Sequence, residues 1–203
     1  MTVISPVDAG PAGPRPAEQL RRSPLADRAA ELAAAAGPGG AALSEEPFLT
    51  QVDLRSDPQR AADLAAAAGI APPRTPNRVS GDQHRAALWL GPDEWLLIAP
   101  DGEAAALRDG LVSAGADAAV DVSAHRTTLR LRGGLSRDVL EKVCSLDLHP
   151  RSFTGGHCAQ TLIGRAPAVL WQLSPAPDYR LLVRASYAGY FADLLLDAMS
   201  RPA

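Results

Sequence analysis

The sequence predicts an α+β fold made of two split βαβ-like, ferredoxin-like halves, each with its sheet on one side and its helices on the other. Two observations point to it. From Phe48 onward, strand-length runs of larger apolar residues recur between turns rich in Gly and Pro. These runs alternate with short stretches of helical spacing, so that a strand–helix–hairpin–helix unit of about 65 residues is followed by a second of about 80. The repeat lies in the order of elements and hardly at all in the residues themselves.

The first unit opens at Phe48–Arg55, which alternates as a strand does. Asp57-Pro58 then starts the Ala-rich run Gln59–Ala68, which Gly69 closes, so a helix is expected with both of its end signals. Pro72, Pro73 and Pro76 make a loop. Ala86–Leu90 and Trp95–Ala99 flank Gly91-Pro92-Asp93-Glu94, where proline's fixed φ suits a type I or II turn, and the pair reads as a β-hairpin. Gly102–Ser113 is a second helix ending at Gly115.

The second unit begins with strands at Ala119–Val122 and Thr127–Arg132. Gly133-Gly134 leads into a helix that sets Leu135, Val139, Leu140 and Val143 on one stripe. After a loop of His, Pro and Gly come strands at Cys158–Ile163, Ala168–Leu173 and Tyr179–Val183. Ser186 is placed to cap a final helix, Tyr187–Met199.

Residues 1–46 differ in texture. They hold six Pro, five Gly and no aromatic, with clusters at Gly10–Pro14 and Gly37–Gly40, and such a segment buries too little to offset its ordering entropy. A flexible Ala/Pro/Gly-rich N-terminal arm is therefore expected. It carries one short helix near 24–35, with Ser23 as cap, Pro24 at the first position and Leu25, Ala29 and Leu32 on one face. The body, residues 47–203, divides into lobes at about 47–116 and 117–200.

Composition limits the classes of function. Of the 203 residues 46% are hydrophobic, but 39 are alanine, which leaves 55 larger apolar side chains: a modest core for one domain or two small lobes. No stretch of eighteen uncharged apolar residues predicts a membrane span, and no basic residue precedes Arg15, so no secretory signal is expected. Two cysteines, Cys144 and Cys158, make no disulfide framework and suggest a reducing, cytoplasmic setting. A net charge of −3, with 19 Arg and one Lys and no basic stripe, makes nucleic acid an unexpected partner.

Candidate chemistry is sparse. Asp121, Ser123 and His125 would share one face of a strand, and an acid, a hydroxyl and an imidazole suggest a triad. Same-face neighbours on a strand stand about 6–7 Å apart, too far for a nucleophile and its base. The plainer reading is that they satisfy backbone groups at the join between the halves. Cys144, His149, His157 and Cys158 are all N/S ligands, but their spacing does not match paired zinc knuckles, and no metal is expected. Cys144 falls at a helix C-terminus, where the dipole opposes a thiolate. The sequence has no G-x-G-x-x-G, and Gly133-Gly134 reads as a turn more readily than as an anion site. The aromatics Trp89, Trp95, Phe153, Trp171, Tyr179, Tyr187, Tyr190 and Phe191 read as core more readily than as a stack for a flat ligand. No catalytic, cofactor-binding or metal-binding residue is assigned.

Longer ordered phrases carry more. The run Asp121-Val122-Ser123-Ala124-His125-Arg126-Thr127-Thr128-Leu129-Arg130-Leu131-Arg132-Gly133 is followed by Arg137-Asp138-Val139-Leu140 and Cys144-Ser145-Leu146-Asp147-Leu148-His149-Pro150. Then comes Phe153-Thr154-Gly155-Gly156-His157-Cys158-Ala159-Gln160-Thr161-Leu162-Ile163-Gly164. In that order they resemble the gamma subunit family of heterotetrameric sarcosine oxidase. Phe48–Arg55, Leu90–Leu97 and Ser23-Pro24-Leu25 fit the same family, and the resemblance spans about residues 21–199.

The resemblance implies a T-protein folate-binding-domain-like fold and membership of a cytoplasmic complex that oxidatively demethylates sarcosine. Glycine, hydrogen peroxide and a one-carbon unit passed to tetrahydrofolate would be the products. It further implies that FAD, FMN, NAD and tetrahydrofolate sit on other subunits, that the partners are the alpha, beta and delta subunits, and that this chain is non-catalytic. Gly164–Gln172, comparable to a stretch that bears acidic residues in folate-using relatives, holds no carboxylate. Ala124 is an extra residue relative to a Ser-His-Arg pattern and is expected to form a β-bulge. Leu25, Arg28, Arg126, Phe153, Tyr187 and Tyr190 are the candidate partner-interface residues. The alternative is a stand-alone folate-binding or aminomethyltransferase-like protein.

Overall fold

The computed structural model describes residues 20–35 and 40–200. The clusters expected at Gly10–Pro14 and, apart from Gly40, at Gly37–Gly40 lie outside them. The described chain forms two five-stranded, wholly antiparallel sheets. One has the order β6-β2-β5-β4-β3, formed by β2 (Thr50–Arg55), β3 (Val79–Gly81), β4 (Ala86–Gly91), β5 (Glu94–Ala99) and β6 (Ala118–Asp121). The other has the order β1-β7-β10-β9-β8, formed by β1 (Ala42–Glu46), β7 (Arg126–Arg132), β8 (His157–Ile163), β9 (Ala166–Gln172) and β10 (Asp178–Arg184).

The two orders correspond strand for strand. In each, the first, third and second strands of a ferredoxin-like unit stand side by side, a fourth flanks the first, and one extra strand caps the far edge. The fourth strand of the second sheet is β1, which arrives from the N-terminal side of the whole body. This corrects two expected boundaries. Residues 42–46, assigned to the flexible arm, pair with β7 along their full length, from Ala42 opposite Arg132 to Glu46 opposite Thr128. Residues 118–121, assigned to the second lobe, close the first sheet against β2. The chain crosses between the halves at Val122–His125, and each half takes a strand from outside its expected span.

The layers follow from side-chain alternation along the strands. Trp95, Leu97 and Ala99 of β5 face the helices of their own half, together with Ala61, Leu64, Leu107 and Leu111. Leu96 and Ile98 face the other way, onto Val169, Trp171 and Leu182 of the opposite sheet. Helices therefore cover the two outer faces and the sheets meet in the middle. Strands buried on both faces need apolar residues at nearly every position, which is why β5 and β9 read as continuous runs.

The helices are shorter than expected. Asp57 caps the chain by accepting from the Gln59 amide at 2.8 Å, but the segment makes only a 3₁₀ turn, Pro58–Arg60, before the helix Ala65–Ala68. Ala61, Leu64 and Ala68 are its buried anchors, too few side chains to hold a long helix, since helices under about 12–15 residues are marginal alone. The helices Ala104–Ser113 and Ser136–Glu141 form inside their expected spans. The last is Ala188–Ser200, entered through a 3₁₀ turn, Ala185–Tyr187, that contains Ser186 instead of being capped by it.

Gly133, between β7 and the helix Ser136–Glu141, has φ +113°, and a Cβ there would sit 1.7 Å from the Gly40 carbonyl oxygen. Only glycine lets β1 approach the second half so closely. Near the N-terminus, a 3₁₀ turn Ala26–Arg28 runs into the helix Ala29–Ala34. Ser23 does not cap it. Its hydroxyl donates to Glu45 of β1 at 2.6 Å, and Leu25 and Leu32 are buried in the core of the second half. Among the described residues no helix is long and apolar enough to cross a membrane.

Candidate functional site

The crossing at Val122–His125 gathers the polar residues singled out in the sequence. Asp121 Oδ1 accepts from the Ser123 amide at 2.9 Å and from its hydroxyl at 2.6 Å. Ser123 Oγ in turn accepts from the Gln51 amide at 3.0 Å, while the Val122 amide donates to the Gln51 carbonyl at 2.9 Å. The hydroxyl is thus spent on tying the crossing to β2 and β6 of the first sheet and makes no hydrogen bond to His125. The His125 amide donates to the Val122 carbonyl and its own carbonyl accepts from Ala185. Ala124, expected in a β-bulge, sits in the resulting turn, because β6 has already ended at Asp121. Desolvation and the nearby guanidinium groups of Arg126 and Arg184 hold the His125 imidazole below its ordinary pKa.

The six interface candidates separate by burial. Leu25 is 1% exposed and Phe153 5%. Both belong to the core beneath the second sheet, Phe153 standing edge-on to the His157 ring, and neither can meet a partner. Arg28 is engaged within the chain: it pairs with Glu31 and with Asp193, each at 2.7 Å, and so ties the N-terminal helix to the last one. Tyr187 and Tyr190 are exposed, 41% and 39%, and Tyr190 also accepts a hydrogen bond from the Arg165 amide at 2.9 Å. Arg126 is partly buried between the sheets. Its side chain lines two open hollows, one of about 130 Å³ with Gln160, Thr161 and Arg184, and one of about 460 Å³ with Arg21, Phe48 and Ser123.

The cysteines and histidines do not converge. No group of three His, Cys, Asp or Glu side chains suited to a metal occurs among the described residues. Cys158 is buried between the sheets, its thiol directed to the Trp89 carbonyl at 3.4 Å, and burial pushes it up to about 12. A thiol so far from ionising is a poor nucleophile. Native protein treated with iodoacetamide at pH 8 is therefore expected to stay unmodified at Cys158 and to react there once denatured, as read by mass spectrometry. Alkylation of the native chain at that residue would refute the assignment. Trp95, Trp171, Tyr179 and Phe191 are all core residues, and Trp95 donates its indole N–H to the Pro73 carbonyl at 2.7 Å.

Sequence reasoning missed a buried charge network. Arg180 of β10 pairs with Glu46 of β1 at 2.5 Å, donates to the Gln83 carbonyl at 2.6 Å and lies over the Trp171 ring. Arg130 of β7 binds Glu46 at 3.0 Å and holds Asp178 through two nitrogens, at 2.9 and 2.7 Å. The available signal was an arginine set between large apolar or aromatic neighbours in each of two strands, Arg130 between Leu129 and Leu131 and Arg180 between Tyr179 and Leu181.

A model described as "Sarcosine oxidase, gamma subunit family" matches residues 53–201. A sarcosine oxidase subunit gamma from Corynebacterium sp. (strain U-96) is 40% identical over 190 residues, covering 90% of this chain and 91% of that one. Another from Arthrobacter sp. is 38% identical over 187 residues, covering 89% and 91%. Among solved structures, a chain of the heterotetrameric sarcosine oxidase from Corynebacterium sp. U-96 in complex with pyrrole 2-carboxylate superposes with a TM-score of 0.83 at 39% identity, over 91% of this chain and 100% of that one. The glycine cleavage system aminomethyltransferase T from Bartonella henselae matches with a TM-score of 0.61 at 15% identity, over 88% of this chain and 58% of that one, and shares the fold alone.

Proposed function

Since the chain belongs to the sarcosine oxidase gamma subunit family, we propose that it is the non-catalytic gamma subunit of a heterotetrameric sarcosine oxidase, with a structural and assembly role. In this reading its partners are the alpha, beta and delta subunits, and the complex is cytoplasmic. The complex uses oxygen to demethylate sarcosine, giving glycine and hydrogen peroxide and passing the one-carbon unit to tetrahydrofolate. FAD, FMN, NAD and tetrahydrofolate sit on the other subunits. The observation that carries the reading is the match over nearly the whole chain, and over all of the corresponding chain, to a structure of such a heterotetramer.

The crossing between the halves supports a non-catalytic role. Its acid and hydroxyl bond to each other and to the backbone, which leaves no free nucleophile and base paired there. Gly164–Gln172 forms the turn and strand of the β8–β9 hairpin and holds no carboxylate. The chain purified alone is expected to be colourless and to produce no peroxide from sarcosine. A flavin band in the isolated chain, or saturable tetrahydrofolate binding by it, would overturn the reading in favour of a stand-alone folate-binding or aminomethyltransferase-like protein.

A further inference from the structure

Between the sheets, two like charges face each other, and among the described residues neither forms an ion pair. Arg126 of β7 and Arg184 of β10 stand directly opposite each other at the end of their ladder, a placement that destabilises a strand pair. Arg184 is exposed, Arg126 is partly buried, and Arg126 Nη1 is shut off from solvent with no hydrogen-bond partner. Asp53 and Glu94 attract Arg126 from the facing sheet, but among the described residues neither forms an ion pair with it. Glu94 is taken by Arg55 at 2.7 Å. The neighbouring arginines of the larger hollow are already matched, Arg21 by Asp101 and Arg22 by Asp27.

A partly buried guanidinium whose Nη1 no carboxylate contacts directly is costly in the isolated chain. The defect lies beside the smaller hollow, where the polar, hydrogen-bonding Gln160 and Thr161 line the wall together with apolar Pro167, Ala168, Val169 and Leu182. Its volume of about 130 Å³ suits the end of one side chain. Two opposed guanidinium groups offer the paired N–H donors that a carboxylate accepts best. We propose that Arg126 and Arg184 form a carboxylate seat that receives an acidic side chain from another subunit of the complex. The inference rests on the gamma-subunit reading above and adds the chemistry of one contact to it.

The test is to co-express the chain with the other three subunits and compare wild type with Arg126→Met and Arg184→Met. Assembled complex is measured by native mass spectrometry, and the Tm of each isolated chain is measured alongside. The expected result is that isolated Arg126→Met melts at or above the wild-type temperature, because an unmatched charge has been removed, while its affinity for the other subunits falls about tenfold or more. Arg184 is exposed, so Arg184→Met keeps the fold and is expected to lose assembly in the same direction even if Arg126→Met does not fold. Sodium acetate added to the isolated chain serves as a free-carboxylate probe. Stabilisation of wild type by acetate, with both variants assembling normally, would show a small-anion site and overturn the proposal. Variants that assemble as well as wild type without any acetate effect would overturn it too, leaving the gamma-subunit reading intact. Failure of wild type itself to assemble would remove both.

Discussion

Replacing Glu46 by Ala is expected to lower the stability of the chain by about 3–5 kcal/mol, the usual consequence of leaving a buried charge unpaired. Arg180 is only 5% exposed, and among the described residues Glu46 is its one carboxylate partner, at 2.5 Å. Without Glu46, Arg130 keeps Asp178 at 2.7 Å, whereas Arg180 retains only the Gln83 carbonyl and the Trp171 face. Removing both charges should restore much of the loss, because apolar residues often replace a buried ion pair without penalty. Urea denaturation of Glu46→Ala and of the double variant Glu46→Met, Arg180→Met checks both statements. A single variant within about 1 kcal/mol of wild type would mean that Arg180 is solvated and that β1 is not anchored through its side chain.

Truncating Leu25 to Ala is expected to cost about 2–5 kcal/mol, the range for a buried leucine whose site cannot fully collapse. A tethering arm lying on the surface would lose almost nothing. Leu25 instead shares the core of the second half with Leu32, Phe191 and Leu195, and the segment is pinned further by Ser23 on Glu45 and Arg28 on Asp193. Chemical denaturation measures the loss. Hydrogen exchange of Ala29–Ala34 should quicken in the same variant, since this helix is too short to persist undocked. A loss below about 0.5 kcal/mol would restore the arm as an appendage to the body.

How far the sequence could be read depended on how much each residue's environment constrains it. β5, β9 and β10 were legible because burial on both faces demands a run of apolar residues. β1 was not, because Leu43 is the one large apolar residue in Ala42–Glu46 and is followed by Ser44, Glu45 and Glu46. β3 is three residues long beyond a proline loop and leaves almost no periodicity to detect. That Asp121 and Ser123 bond backbone at the join between the halves was legible, since short polar side chains at a strand end commonly bond local backbone. Leu25 and Phe153 were misplaced because an apolar residue reads the same whether it faces a partner or its own core. Arg126 stood out in an ordered phrase, but its missing counter-ion and its opposition to Arg184 exist only once β7 and β10 are paired.

The central claim is membership in a four-chain oxidase, and the most direct measurement is recovery of the tagged chain from its native cells with identification of what comes with it. The account predicts three further chains, two of them larger and flavin-bearing and one small, together with peroxide production that depends on sarcosine. Recovery of the chain by itself would contradict it.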